Sequence, residues 1–241
     1  MIFKDLLNDE LASQLTKDTK GMGIQDTLRT IACRFQGEIA FSTSFGQEDQ
    51  IITDMIFTAD LPVMVFTLDT GRHFEETYKI MNQTLAKYNK KIKVCFPDKD
   101  QVEKLMTQKG PYSFYESIEN RQECCHIRKV LPLRKILGQV SVWITGLRAS
   151  QSDARNTTNR ISYDAENKVI KYNPLIDWSI DQVNEYLKLN HIPYNVLHDR
   201  GFLSIGCAPC TRAVAHGENI RAGRWWWENN TSKECGLHQK D

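Results

Sequence analysis

The sequence lacks long hydrophobic runs and carries almost no net charge. No segment of about 18 residues is free of charged side chains, so a membrane-spanning helix is not expected. Charged side chains also interrupt the first ten positions, which excludes the apolar core of a secretory signal. The 31 basic and 30 acidic residues leave a net charge of +1, so no broad basic surface for nucleic acid is expected. These absences predict a cytoplasmic protein with no membrane or nucleic-acid partner.

The sequence also lacks internal repeats, low-complexity tracts and the even cysteine count of a disulfide framework. Its seven cysteines favour metal binding or thiol chemistry, because thiols in the cytosol are normally kept reduced. The 241 residues, 41% of them hydrophobic, can form a full core in one domain, alone or with a small appendage. Homo-oligomerisation stays open at this stage.

Apolar patterns alternate between the two periods of regular secondary structure. They predict strands at residues 38–44, 61–68, 92–96 and 140–144, and helices at 48–59, 72–88, 101–105 and 179–189. Strands separated by helices indicate an α/β fold with a mainly parallel twisted sheet and helices on both faces. Ligands of such sheets bind at the carboxyl ends of the strands. We expect an N-terminal helical segment at 1–20, a main domain at 21–218 and an irregular cysteine-bearing tail at 219–241.

Four of the cysteines form two pairs that are far apart in the sequence. Cys124 and Cys125 are adjacent, whereas Cys207 and Cys210 form a Cys-x-x-Cys turn with a proline inside it. Four thiolates suit either zinc or an iron–sulfur cluster. Adjacent cysteines favour the cluster, because neighbouring side chains diverge and reach two irons more easily than one ion. The spacing alone leaves zinc open.

The remaining cysteines have different surroundings. Cys235 lies in a polar tail six residues from the chain end, where a thiol can swing into a cleft as a nucleophile. His238 is a candidate cationic neighbour that would favour the thiolate. The alternative is an exposed cysteine without a role. Cys33 and Cys95 lie in a predicted helix and a predicted strand, and we expect both in the core.

Two turns that follow predicted strands are suited to anions. Hydroxyl groups and the N–H groups of a helix N-terminus can hold a phosphate-like group, although such residues more often only cap a helix. Neither turn matches a Walker A or a Gly-x-Gly-x-x-Gly pattern. The candidate substrate-binding residues are Ser42, Ser44, Gly46 and Gln47 in the first turn and Asp69, Thr70 and Gly71 in the second.

Basic residues are concentrated near these features. Arginine side chains bind phosphate and sulfate oxygens in pairs of hydrogen bonds, but any single arginine is more often a solvated surface residue. A long polar segment, residues 148–160, is typical of a functional loop, with an exposed linker as the alternative. The candidates for binding an anionic substrate are Lys129, Arg148, Arg155, Arg221 and Arg224.

Six motifs occur together and in one order: SFGQED, TLDTGR, CCHIRK, GLRASQS, CAPC and ECGLH. On these motifs the chain, from about residue 20 to its end, resembles the sulfonucleotide reductase family. The resemblance implies a fold like that of the adenine-nucleotide alpha hydrolases for the main domain. It also implies one four-iron four-sulfur (4Fe-4S) cluster, held by Cys124, Cys125, Cys207 and Cys210.

The resemblance further implies an activity. Family members with both cysteine pairs reduce adenylyl sulfate (APS) to sulfite and AMP in sulfate assimilation, toward sulfide and cysteine, with thioredoxin as electron donor. Cys235 would be the nucleophile that forms an S-sulfocysteine intermediate, and Lys129 and Arg148 would neutralise the sulfate and phosphate oxygens. Relatives without the pairs use the 3′-phosphorylated nucleotide (PAPS), and some members with the pairs accept both, so PAPS reduction and dual specificity stay open.

Two other classes of protein compete with this interpretation. One is a non-enzymatic module in which the four thiolates bind zinc and the basic loop binds a partner. The other is an ATP-using ligase of similar fold, such as a tRNA-thiolating enzyme. The turn around Ser44 departs from the Ser-Gly-Gly-x-Asp-Ser pattern that such ligases carry.

Overall fold

The computed structural model describes Lys4, residues 7–151, Arg155 and residues 157–228. The strands are β1 (Ile39–Ser42), β2 (Met64–Leu68), β3 (Lys93–Cys95), β4 (Val142–Ile144), β5 (Ile161–Asp164) and β6 (Val169–Tyr172). They form one sheet in the order β3-β2-β1-β4-β6-β5. Strand β1 is parallel to β2 and β4, and β4 is parallel to β6, whereas β5 is antiparallel to β6. The prediction of a mainly parallel sheet is confirmed.

Helices connect most of the strands. They are α1 (Asp9–Asp18), α2 (Ile24–Arg34), α3 (Gln47–Thr58), α4 (Glu75–Tyr88), α5 (Lys99–Lys109), α6 (Ile118–Cys125), α7 (Leu131–Leu137) and α8 (Ile180–Leu189). A π-helical turn, His126–Val130, joins α6 to α7. Within the described ranges, none of these helices has both the length and the apolar character needed to cross a bilayer.

Capping residues set the ends of several helices. Ser179 and Gln182 form the reciprocal hydrogen bonds of a capping box, so α8 begins where the sequence predicts. Helix α5 begins earlier than the predicted residue 101, because the Asp98 side chain accepts a hydrogen bond from the backbone of its first turn. Helix α4 begins at Glu75, later than the predicted residue 72: Gly71 has a φ of 69°, and the backbone N–H of Arg72 donates to the Thr70 hydroxyl, so both residues belong to the turn.

The hairpin of β5 and β6 is absent from the sequence-based prediction, which gives no strand after residue 144. Each of these strands has only four residues. A segment of that length carries too little alternation to be separated from a loop. Strand β6 depends on its parallel pairing with β4, which no local pattern reveals.

The chain divides into two compact units. The first comprises the chain up to Thr67, residues 77–93 and residues 136–195, and the second comprises residues 68–76, residues 94–135 and the chain from Val196 onward. The first unit contains the larger hydrophobic core, in which residues of β1, β4 and β6 pack with residues of α2 and α3. The second has a small core formed by Leu105, Phe114, Cys124, Cys207, Cys210 and Trp225. The predicted boundaries at residues 20 and 218 stay predictions.

Candidate active site

In the first unit, the carboxylate of Asp49 holds the turn that follows β1. Its Oδ2 accepts hydrogen bonds from the backbone N–H of Ser44 (2.6 Å) and from the Ser44 hydroxyl group (2.7 Å). Phe45 is buried and has a φ of 60°, a conformation that is strained for a bulky residue. Gly46 is the N-cap of α3. The turn therefore presents the N-terminus of α3, which carries partial positive charge, at the carboxyl end of β1.

Asp49 also contacts the loop after β4. A β-carbon added to Gly146 would lie 2.0 Å from Asp49 Oδ1, so any larger residue at position 146 would displace the Asp49 carboxylate. Because β1 and β4 are neighbours, Asp49 links the loops at the carboxyl ends of two adjacent strands. Burial raises the pKa of Asp49 to about 6; the hydrogen bonds from Ser44 oppose the rise and the charge of Glu48 adds to it. Asp49 belongs to the SFGQED motif, but no local pattern predicts its role.

The predicted anion-binding arginines of the first unit are buried and hydrogen-bonded. Arg148 donates from Nε to a Glu48 carboxylate oxygen (2.7 Å), and Gln151 donates to the same oxygen (3.0 Å). Arg155 donates to the Gln151 side-chain oxygen. Glu48 lies in the first turn of α3, so this chain of contacts joins the 148–155 loop to the turn after β1. Glu48 and Gln151 are partners that the sequence analysis does not identify.

The other predicted residues of the first turn also have partners. The Ser42 hydroxyl accepts a hydrogen bond from the Trp143 indole (2.9 Å), and the Gln47 side chain donates to Asn184 (3.2 Å). Ser44 is exposed and Gly46 is half-buried. The first unit thus brings Ser42, Ser44, Gly46, Gln47, Arg148 and Arg155 to the carboxyl ends of β1 and β4.

The raised pKa of Asp49 predicts a pH-dependent effect of Asp49→Asn on stability. The folded-state pKa of about 6 exceeds the ordinary 3.8, so ionisation of Asp49 favours unfolding as pH rises from 4 to 6. Asparagine does not ionise, so the unfolding free energy of the variant, relative to wild type, should rise by about 2 kcal/mol over that range. Urea unfolding of both proteins at each pH measures this difference. A difference that stays constant with pH would contradict it.

In the second unit, the turn after β2 contacts the Cys-x-x-Cys segment. Asp69 accepts a hydrogen bond from the Gly71 N–H (2.8 Å), which closes the turn. The Thr70 hydroxyl lies 3.2 Å from the sulfur of Cys207. Arg128 donates to the Thr70 carbonyl oxygen at 2.7 Å. Asp69, Thr70 and Gly71, predicted as substrate-binding residues, therefore lie beside the cysteines.

The two cysteine pairs line one cavity. All four thiol residues face it together with Arg72, Arg128, Lys129 and Arg224, and its volume is about 10 Å³. Across the part of the chain that the structure describes, no three cysteine, histidine, aspartate or glutamate side chains converge closely enough to hold a single metal ion. The four thiols surround a space instead of meeting at a point.

The thiols of the cavity differ in acidity. Burial acts to raise the pKa of Cys207, but the charge of Lys129, the Thr70 hydroxyl and two arginines together lower it below its ordinary value. Burial, and then the neighbouring Cys207, raise the pKa of Cys210 to about 12. Burial also raises the pKa of Cys124. The cations therefore favour one thiolate, that of Cys207.

A buried ion pair joins the two cysteine segments of the second unit. Arg121, on the helix that carries Cys124, donates two hydrogen bonds to the carboxylate of Glu228 (2.8 and 2.9 Å). The Arg121 guanidinium also lies 4.5 Å from the centre of a Trp225 ring, and the backbone N–H of Trp225 donates to the Cys210 carbonyl oxygen. No local pattern in the sequence predicts the roles of Arg121, Trp225 and Glu228.

The structure places the other predicted residues as follows. Arg224 is buried against Trp225, and its guanidinium would lie 2.5 Å from a β-carbon on Gly206. Arg221 is half-buried in the same segment, and its backbone N–H donates to the Asn219 side chain.

The expectation that Cys33 is a core residue is wrong. Cys33 lies in α2 but is exposed, on the face opposite the buried residues of that helix. Cys95 is half-buried in β3. Cys235 and His238 lie outside the described residues.

We expect the Arg121–Glu228 pair to be strongly stabilising relative to a broken pair. Glu228→Gln leaves the Arg121 charge buried without its counter-charge, which should lower the unfolding free energy by about 3–5 kcal/mol. Asp177→Asn removes the exposed partner of Arg160 and serves as the control, with an expected loss of about 1 kcal/mol or less. Urea unfolding of each purified variant compares the two. Equal effects of the two substitutions would show that burial adds nothing to the pair.

Fold and site together define an α/β protein with turns suited to anions at the carboxyl ends of its strands and with a cavity lined by four thiols. The phosphoadenosine phosphosulfate reductase domain family matches residues 38–213. An adenosine 5′-phosphosulfate reductase of Agrobacterium fabrum is 48% identical over 202 residues, which cover 84% of this chain and 78% of that protein.

Solved structures agree with this relationship. Phosphoadenylyl-sulfate reductase from Candida auris, in a phosphate complex, has a TM-score of 0.72 at 29% identity and covers 86% of this chain and 98% of its own. Yeast FAD synthetase, at 15% identity, has a TM-score of 0.55 over 86% of this chain and 76% of its own, a likeness of fold alone. The chain belongs to the phosphoadenosine phosphosulfate reductase family. The predicted family and its adenine-nucleotide alpha hydrolase-like fold are confirmed.

Proposed function

We propose that this chain is a cytoplasmic oxidoreductase that reduces APS to sulfite and AMP, with thioredoxin as electron donor. The observation that carries the proposal is that two distant cysteine pairs line one cavity in a member of this reductase family. Relatives that are 43–48% identical to the chain are named adenosine 5′-phosphosulfate reductases. The phosphoadenylyl-sulfate reductase of Candida auris is 29% identical, so the comparison favours APS over PAPS.

The residues of the cavity fit a 4Fe-4S cluster. Cys124, Cys125, Cys207 and Cys210 would be its ligands, because four thiolates are the common ligand set of such clusters. The lining cations would balance the charge of thiolates and cluster. A volume of about 10 Å³ holds little more than one water molecule, so the thiol side chains would have to turn outward to admit the cluster. A bound cluster would link both cysteine segments; because thiols supply both electrons, it need not change oxidation state.

The first unit is suited to the nucleotide. The N-terminus of α3 and the turn held by Asp49 can take a phosphate group, as helix N-termini do in many nucleotide sites. Arg148 is held at the start of α3 by Glu48, so its position does not depend on a ligand. We infer that this preorganised turn and loop bind the nucleotide, while neutralisation of the sulfate by Lys129 stays a prediction.

The chemical steps require only thiols. The Cys235 thiolate attacks the sulfonyl sulfur, a sulfur–sulfur bond forms, and AMP leaves with the electron pair of the broken sulfur–oxygen bond. A thioredoxin thiolate then attacks the Cys235 sulfur and expels sulfite with the bonding pair. The second thioredoxin thiol resolves the mixed disulfide, which restores the Cys235 thiol and leaves oxidised thioredoxin.

Replacing a cavity cysteine should remove the metal. Cys207→Ser should lose most of the iron and the visible absorbance of the purified protein, because bound metal contributes directly to the stability of its site. Cys33→Ser, on an exposed face of α2, is the matched control and should keep both. Iron assays and absorption spectra measure the outcome. A colourless wild type containing zinc would instead favour the non-enzymatic zinc module.

Replacing Cys235 should block the covalent step alone. Wild-type protein mixed with APS, without thioredoxin, should gain one sulfonate on the C-terminal peptide and release AMP in equal amount. Cys235→Ser should keep its iron and bind the nucleotide, but it should form no adduct. Peptide mass spectrometry and AMP assays follow both reactions. Normal turnover by Cys235→Ser, or a sulfonate on Cys33 or Cys95, would refute the nucleophile assignment.

A further inference from the structure

Three exposed aromatic side chains form a continuous surface on the second unit, which we call the aromatic patch. Tyr112, Tyr115 and Trp226 are 63%, 38% and 39% exposed. The ring centroids of Tyr112 and Tyr115 are 6.2 Å apart, and those of Tyr115 and Trp226 are also 6.2 Å apart. Single exposed apolar residues are ordinary on a protein surface, but joined aromatic rings are typical of an interaction surface.

The aromatic patch rests on a packed base. The Tyr115 ring lies 4.5 Å from that of buried Phe114 and 4.4 Å from that of Trp227, and its hydroxyl donates to the Pro209 carbonyl oxygen (2.6 Å). Phe114 belongs to the small core that includes the cavity cysteines, and Trp227 packs against that core. Tyrosine and tryptophan rings that are already held in place lose little entropy on binding, so they often dominate protein interfaces.

A concave surface adjoins the aromatic patch. A cavity of about 280 Å³ shares Tyr112 with it and is otherwise lined by Arg72, His73, Pro111, Ala208 and Pro209. This volume is just below the range of about 300–1,000 Å³ that is usual for small-molecule pockets. It suits a short protruding loop of a protein, with the aromatic rings contacting the surface around that loop.

The aromatic patch lies close in the chain to Cys235. Trp226 precedes Cys235 by nine positions, so an extended chain keeps the thiol within about 32 Å of it. A reductant must bring a dithiol into contact with the Cys235 sulfur to release sulfite. The Cys235 thiol therefore stays within reach of a protein seated on the patch.

We propose that the aromatic patch and the adjoining cavity dock the protein dithiol, thioredoxin, that regenerates Cys235. This inference rests on the proposed function and specifies the surface that the partner uses. The second unit then has two roles: its buried residues support the cysteines, and its exposed aromatic rings recognise the reductant.

The test compares two reductants on the same S-sulfonated holoenzyme. Tyr112→Ala and Trp226→Ala should raise the thioredoxin concentration for half-maximal sulfite release about 10-fold or more, as loss of an aromatic interface anchor does. The rate with dithiothreitol, which needs no docking surface, should not change. Tyr112→Phe keeps the ring and should behave as wild type. Leu189→Ala, on a 76% exposed residue of the first unit, is the control for loss of an exposed apolar side chain.

Several outcomes would overturn this assignment. Wild-type thioredoxin dependence in both alanine variants would do so, and so would equal slowing with dithiothreitol, which would mean that the rings hold the chain's own C-terminal segment. Conversion of a wild-type dimer to monomers by Tyr112→Ala would identify a contact between copies instead. If wild-type protein formed no S-sulfonate, the proposed function would be wrong. Direct titration of thioredoxin onto wild type and Tyr112→Ala would still decide the role of the surface.

Discussion

The second unit depends on the buried ion pair between Arg121 and Glu228. These residues are 107 positions apart, and their contact fixes the segment after the Cys-x-x-Cys turn against the helix that carries the adjacent cysteines. The guanidinium meets the carboxylate through two parallel hydrogen bonds and covers the Trp225 ring, a combination that lysine cannot reproduce. Because both charges are buried, removal of either one alone would greatly lower the free energy of unfolding. The pair therefore makes one arrangement of the two cysteine segments much more stable than its alternatives.

Asp49 fixes the local backbone of the first unit, but its buried charge is stabilised differently from the charges of the ion pair. Its carboxylate is buried, and the two hydrogen bonds that Ser44 donates offset the loss of water only in part. Its hydrogen bonds hold the turn that contains the strained Phe45, and its carboxylate lies against Gly146. The turn thus keeps one conformation although burial of the carboxylate lowers the stability of the protein. Such a loss of stability is frequent where binding requires a fixed backbone.

The sequence predicts features that local patterns encode. Strands β1 to β4 follow from apolar runs separated by helical periods, and Ser179 begins its helix because a capping box needs only four consecutive residues. The cysteine pairs are recognisable by spacing, and they do line a common cavity. Contacts of long sequence separation are not encoded locally. Nothing near Arg148 indicates that Glu48 is its partner, and nothing near Arg121 points to Glu228. Cys33 is misjudged because burial of a cysteine depends on which helix face meets the core.

The distribution of charge explains how a nearly neutral chain can contain a strongly cationic centre. Arg128 donates to the Thr70 carbonyl oxygen and Arg224 lies over the Trp225 ring, and neither of these contacts supplies a negative charge. The groups at the cavity that can become anions are its thiols, and the cations already lower the pKa of Cys207. Burial of the cations and ionisation of the thiols therefore favour each other. A metal centre that replaces thiol protons would strengthen both, because each new thiolate adds a counter-charge to arginines that the fold has already removed from water.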